Sequence, residues 1–400
     1  MTVSAPPTSA DVAIVGGGGA GLSLVLAIDA AFRGRTPPRI VLVDPVHRRG
    51  ADRTWCLWDD GPSAGSAGGE LDAVLHRAWQ RLELVDRAGR PRRLDLAPMR
   101  YLMIRSQDYY AAAEAAATRL GVRRVTASAD AVEDTATGVT VRAGGRVVSA
   151  RWAFDSRPAP PRRPGRTSLL QHFRGWTVRL PGPLLDPALP TLMDFSVPQP
   201  ARGVAFAYCL PLDARRALVE YTEFSRERLP SPAYDAALAA YLRARWDLAA
   251  ADVAVEAVED GAIPMTDAPF ARRAGRHVFR LGTAGGATRP STGYTLAAMR
   301  RQAAGVAASL RDGRVPLPPA PYPARHRWLD AVLLRALDRG YAPGPELFTG
   351  LFERHPPQRV LRFLDGATGP AEELAIMASS PRLPMLRAGA ADAAHRALRR

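Results

Sequence analysis

The stretch DVAIVGGGGAGLSLVLAIDA, residues 11–30, runs from an apolar strand through four consecutive glycines into an apolar helix. VAIVG has the length of a short buried strand, and GAGLSLVLAIDAAF that of a helix with a small-residue start. Gly16, Gly18 and Gly21 fall at G-x-G-x-x-G spacing, and each has its own physical reason. The first permits a tight turn off the strand. The second lets backbone approach a pyrophosphate, and the third lets the helix pack close to the strand. The helix N-terminus adds unpaired N–H groups and a positive dipole end. RIVLVDP then makes a second strand ending in Asp44, 23 residues beyond Gly21, where a carboxylate accepts from ribose hydroxyls. A glycine-rich turn in an ordinary α/β sheet is the alternative. Strand, helix and acid together favour a dinucleotide, and glycines this early in the sequence favour FAD over a nicotinamide.

Working outward, SQDYYAAAEAAATRLG (106–121) reads as a helix capped by Ser106 and stopped by Gly121. VRRVTA, GVTVRA and RVVSARWAFDSRP read as strands, and the Pro/Arg stretch 157–166 as an exposed connection. From 168 to 263 the segments lengthen into strands, interrupted by one helix, AYDAALAAYLRARW. Beyond 313 the chain reads as helices broken by prolines. The expected fold is α/β: a Rossmann-like FAD-binding domain (1–160 plus 264–312) interleaved with an antiparallel-sheet substrate domain (161–263), then a helical segment (313–400).

Composition narrows the function classes. All 54 basic residues are arginine and the net charge is +15. Biased codon usage and attraction to an anionic surface are both open. The arginines scatter without interleaved aromatics, so a membrane surface is favoured over nucleic acid. The two cysteines and seven histidines show neither a disulfide framework nor a metal-ligand spacing. MTVSAPPTSA lacks a basic start followed by an apolar run, and no membrane-spanning run appears. The expectation is a cytoplasmic protein resting peripherally on the inner face of the membrane.

A second glycine cluster stands in HVFRLGTAGGATRPSTGYTLAAM, residues 277–299. It reads as strand, small-residue turn and a helix beginning near Thr292. A second helix N-terminus there would suit the flavin end of FAD, with Gly285, Gly286, Thr292 and Gly293 letting backbone N–H groups approach. A capped helix after a loop is the alternative.

The two turns, in this order, resemble the FAD-binding fold of the flavin monooxygenase superfamily. Further segments resemble the bacterial lycopene β-cyclases: RTWCLWDD (53–60), LLQHFRGWTV (169–178), LMDFSVPQ (192–199), FAYCLPLDARRALVEYT (206–222), GGATRPSTGYTL (285–296) and VLRFLDG (360–366). The series is collinear over nearly the whole chain. Two positions depart from the family pattern. Arg289 stands where histidine is frequent, and Tyr221 where an acid is common.

The resemblance implies cyclisation of the linear end groups of lycopene to β-rings without net redox change. A proton adds at C2, the C5=C6 bond attacks the tertiary cation at C1, and loss of the C6 proton completes the ring. This needs an acid in an apolar pocket, a cation shield and a base. Glu220 is the candidate acid–base: it shares a strand face with Leu218 and Thr222, and apolar surroundings would raise its pKa. A solvated or salt-bridged carboxylate is the competing reading. Asp194 is a second candidate that suits a structural hydrogen bond equally well, and Glu223 reads as surface. Trp55, Trp58, Tyr208 and Tyr294 are candidates to line the polyene channel, against a plain core role. Arg53 of the Arg-Thr-Trp segment joins the cofactor-binding set.

The family likeness further implies FAD acting in its reduced form, NAD(P)H as reductant, a linear carotene as substrate and docking at a membrane surface. WLDAVLLRAL (328–337) and LFTGLFERH (347–355) are candidate apolar entrances, against amphipathic helices facing the core. Rival readings are a flavin monooxygenase, a prenyl-chain reductase and a basic membrane-binding protein without enzymatic activity.

Overall fold

The computed structural model describes residues 8–60, 72–381, 384–385 and 387–389. In chain order the strands are β1 (Thr8–Val15), β2 (Ile40–Val43), β3 (Thr54–Asp59), β4 (Arg77–Trp79), β5 (Arg81–Val85), β6 (Pro91–Asp95), β7 (Arg100–Arg105), β8 (Arg123–Val125), β9 (Ala129–Asp134), β10 (Val139–Ala143), β11 (Arg146–Asp155), β12 (Ser168–Arg179), β13 (Thr191–Asp194), β14 (Val204–Pro211), β15 (Arg216–Ser225), β16 (Ala254–Thr266) and β17 (Val278–Arg280). The helices are α1 (Gly19–Ala31), α2 (Ser106–Arg119), α3 (Ser231–Trp246), α4 (Leu296–Arg311), α5 (Ala324–Asp338), α6 (Gly344–Arg354), α7 (Pro357–Leu364) and α8 (Pro370–Ser379).

The first sheet has the order β8-β2-β1-β11-β10-β9, with β17 beside the end of β11. Strands β8, β2, β1, β11 and β17 are parallel to one another, and β9 and β10 add antiparallel pairs. Alternation along β1 sends Val12 and Ile14 toward α1, α2 and α4, while Ala13 and Val15 join Val41, Val43 and Val141 on the opposite face. This is the expected Rossmann-like α/β arrangement.

The second sheet runs β16-β12-β15-β14-β13-β5-β6, antiparallel except between β13 and β5. One face carries α3 through Tyr234, Leu238, Tyr241 and Leu242. The other packs on a small sheet, β3-β7-β4, and on the C-terminal helices, burying Leu334, Leu347, Phe348, Phe352 and Leu361 among others. Strands β5 and β6 come from the stretch expected to serve the first domain, yet they hydrogen-bond into the second sheet. Sequence order did not reveal this, because a hairpin's partners depend on where a strand about a hundred residues later arrives.

Two local readings change. Helix α4 starts at Leu296, not near Thr292. The Arg289 carbonyl accepts from the N–H groups of Thr292 and Gly293, and Gly293 has φ +71°, so this backbone closes a left-handed turn before the helix begins. Ser106 opens α2 without capping it. Its Oγ instead accepts from the N–H groups of Asp52 and Arg53 and donates to the Gly50 carbonyl, pinning the loop that carries Arg53. Among the described residues no helix is long and apolar enough to cross a membrane.

Candidate functional site

A cavity of about 1080 Å³ lies where the first sheet, the β3-β7-β4 sheet and the second sheet meet. Pockets for single small ligands fall at or below this size. Gly16, Gly18 and Asp44 line one part of it, and Tyr208, Glu220 and Tyr294 another. Both glycine turns therefore open on one space.

At the first turn Gly16 has φ +99°, and a side chain there would run into Ser156. A Cβ on Gly21 would overlap the Gly16 carbonyl oxygen, so strand and helix approach only because that atom is missing. Gly18, at the N-cap of α1, has nothing within 4 Å of where its Cβ would stand. Asp44 is held in place by the N–H groups of Gly17 (2.6 Å) and Val46 (2.7 Å). Arg53 lines the cavity with a largely exposed side chain beside Asp52. Trp55 stands over the first turn: a Cβ on Gly19 would lie 3.2 Å from its ring, and the ring meets Tyr109 edge-on at 5.3 Å.

At the second turn Thr283, Thr292, Gly293 and Thr295 line the cavity. Gly285 and Gly286 do not. They shape the turn from behind, Gly286 at φ +79° and Gly285 against the Arg280 carbonyl. Thr292 Oγ1 and Gln171 Oε1 are buried without a hydrogen-bond partner among the described residues, although a buried polar atom is usually paired. Clear space over Gly18 and two orphaned polar atoms at the second turn fit a dinucleotide lying between the turns.

Glu220 of β15 is buried and faces the cavity beside Leu210 and Leu218, with Thr222 donating to its Oε1 at 2.7 Å. Desolvation, then the negative charge of Glu259, pushes its pKa well above the usual carboxylate range. Glu259 of β16, not singled out in the sequence, lines the same cavity, half-buried, and accepts from Thr54 Oγ1 at 2.9 Å. Burial raises its pKa as well, against the Thr54 hydrogen bond and the nearby Arg53 charge. Tyr294 meets Tyr101 hydroxyl to hydroxyl at 3.2 Å, and Tyr101, Tyr208 and Cys56 complete this wall. Burial moves all three phenols upward and the Cys56 thiol to about 12.

Other candidates fall outside the cavity. Asp194 is buried on the α3 face, accepting from Tyr241 (3.0 Å) and from the Ser196 hydroxyl (2.6 Å), a structural arrangement. Trp58 packs behind the wall, its ring 4.5 Å from that of Tyr294. Glu223 is not at the surface: α3 covers its face of the sheet, and Tyr221 reaches it at 3.4 Å. The suggested entrance helices α5 and α6 turn Leu334, Leu337, Leu347 and Phe348 into the core. Arg289, in place of the familiar histidine, is fully buried. It pairs with Asp330 and lies over the ring of Tyr322, anchoring the second turn to α5.

The backbone is similar to several solved structures. A geranylgeranyl bacteriochlorophyll reductase-like protein from Thermoplasma acidophilum superposes with a TM-score of 0.60 at 12% identity, over 92% of this chain and 96% of that one. The p-nitrophenol 4-monooxygenase PnpA from Pseudomonas putida does so with 0.59 at 14% identity, over 96% and 98%. The flavin-dependent brominase Bmp2 gives 0.58 at 15%, over 92% and 97%. At such identities the likeness is one of fold. No curated protein matches the sequence. The family model described as "Lycopene cyclase protein" matches residues 11–390, nearly the full length, and the chain belongs to that family.

Proposed function

We propose that this chain is an FAD-dependent lycopene β-cyclase acting without net redox change. The observation that carries the reading is Glu220, a buried carboxyl with a raised pKa, in one cavity with the first glycine turn. Gly16, Gly18 and the α1 N-terminus would receive the pyrophosphate, Asp44 the ribose, and Thr292 and Gln171 the flavin end. Bound FAD, reduced by NAD(P)H, would supply negative charge that favours a passing carbocation.

Glu220, kept neutral by burial, holds the proton that C2 of the terminal double bond receives. Leu210, Leu218 and Phe173 line the same space and exclude water that would otherwise quench a cation. The faces of Tyr208 and Tyr294 stabilise positive charge. A hydrocarbon substrate dissolves in a bilayer, so we infer docking at a membrane surface, to which the net charge of +15 would add attraction.

The test is pigment analysis of a lycopene-producing bacterial host expressing the chain. β-Carotene or γ-carotene is expected. Unchanged lycopene alongside a soluble, flavin-containing protein would refute the cyclase reading and turn attention to a monooxygenase or reductase of another substrate.

A further inference from the structure

We infer that Glu259 is the proton acceptor of the ring closure, working with Glu220 in the one cavity that both line. The inference rests on the cyclase reading above. Strand β12 lies between β15 and β16, and its Gly175 pairs with Glu220 on one side and Glu259 on the other. Residues in one row of a sheet project to the same face. The two carboxylates therefore stand on the cavity face two strand spacings apart, about 9–10 Å at the backbone. Gly175 places no side chain between them. A Cβ there would come to 3.3 Å from the Glu220 Cβ and 3.0 Å from Leu218 Cδ1, so a side chain at 175 would push both out of place.

Their surroundings give the two carboxyls different forms. Burial raises the pKa of Glu259 as well, and the Asp52 charge adds to that, but the hydrogen bond from Thr54 and the nearby Arg53 charge oppose both and favour its charged state. Glu220 is more deeply buried, among Leu210, Leu218 and Tyr208. Like charges in one poorly solvated space are not both ionised readily, so the pair shares a proton that rests on Glu220. Cys56, Tyr101, Tyr208 and Tyr294 face the same space and stay neutral near physiological pH.

The proton balance then closes within the protein. The Glu220 proton bonds to C2 with the electrons of the C1=C2 double bond, leaving a cation at C1. The C5=C6 electrons form the C1–C6 bond and move the cation to C5. The C6–H electrons restore C5=C6, and the proton passes to the Glu259 carboxylate. Transfer from Glu259 back to Glu220 resets the site. No oxidant, reductant or external acid is consumed.

The experiment expresses Glu259→Gln, Glu259→Asp and the unaltered chain in the lycopene-producing host, with flavin absorbance and thermal unfolding of each purified protein. For Glu259→Gln we expect β-ring formation to fall on the order of 10²-fold. The residual product should shift to ε- or γ-rings, because the C5 cation then loses a different proton, while flavin content and unfolding stay native. Glu259→Asp should recover β-rings. If the unaltered chain makes β-rings and Glu259→Gln makes them equally well, the acceptor role is overturned while the cyclase reading stands. Loss of activity together with flavin or fold, not rescued by Asp, would also overturn it. No rings from the unaltered chain would remove both.

Discussion

The hydroxyl of Thr54 donates to the Glu259 carboxylate across 2.9 Å, joining the β3-β7-β4 sheet to the edge strand of the second sheet at the cavity wall. That bond favours the ionised form of Glu259. In Thr54→Val the carboxyl should titrate higher, so the acid limb of a pH–activity profile should move to higher pH by about one unit, the weight of one charged hydrogen bond. An unmoved limb would show that Glu259 titration does not govern the rate.

Glu220→Gln should abolish ring formation, a loss on the order of 10²–10⁴-fold, yet stabilise the fold at high pH. The folded pKa of Glu220 lies above its ordinary 4.5, so between those values the folded chain binds a proton that the unfolded chain does not. Its contribution is fully present below 4.5 and is lost as pH rises through the folded value. Glutamine carries no such loss. The Tm difference between variant and unaltered chain should therefore grow in the variant's favour from acidic to mildly alkaline pH. A difference independent of pH would contradict burial of the carboxyl in its neutral form.

Gly18→Ala and Gly21→Ala separate binding from folding. The space around Gly18 is open and its φ of −85° suits alanine, so stability should change by about 0.5 kcal/mol or less while bound flavin is lost. At Gly21 the new methyl meets the Gly16 carbonyl, and unfolding should come first, by roughly 1–3 kcal/mol or more. Flavin absorbance and chemical denaturation of both variants check the pair. Retained flavin in Gly18→Ala would remove the first turn from cofactor binding.

Arg289→Met leaves Asp330 buried without its cation and should cost about 3–5 kcal/mol in denaturant unfolding. Adding Asp330→Leu should return most of that, since the lone carboxylate is then gone. Equal instability of single and double variants would instead point to lost packing against Tyr322 and Phe363.

What the sequence revealed follows from how local each requirement is. The turn at Gly16–Gly21 was legible because its demands arise within six residues. Glu220 was legible because strand alternation, with the family resemblance, placed it beside Leu218. Glu259 was not, because β16 carries Glu256, Glu259 and Asp260 in five residues, and the register with β12 shifts at Thr177–Val178. Only that register puts Glu259 opposite Gly175 and leaves Glu256 to Arg179 and Arg216 outside. For Asp194 the resemblance of its segment left catalysis and a structural hydrogen bond equally open, and only the packing of α3 on its face of the sheet separates them.

The parallel pairing of β5 with β13 has a kinetic consequence. Glu83 bonds to Thr191 across 108 positions of chain, so during synthesis the β5–β6 hairpin emerges long before its neighbour exists. Its open edge must wait while the intervening strands of the first sheet assemble. Contacts of such long sequence separation slow folding and leave unpaired edges exposed. Aggregation of nascent chains should therefore be most sensitive to residues 81–95, with chaperone demand concentrated before residue 191 leaves the ribosome.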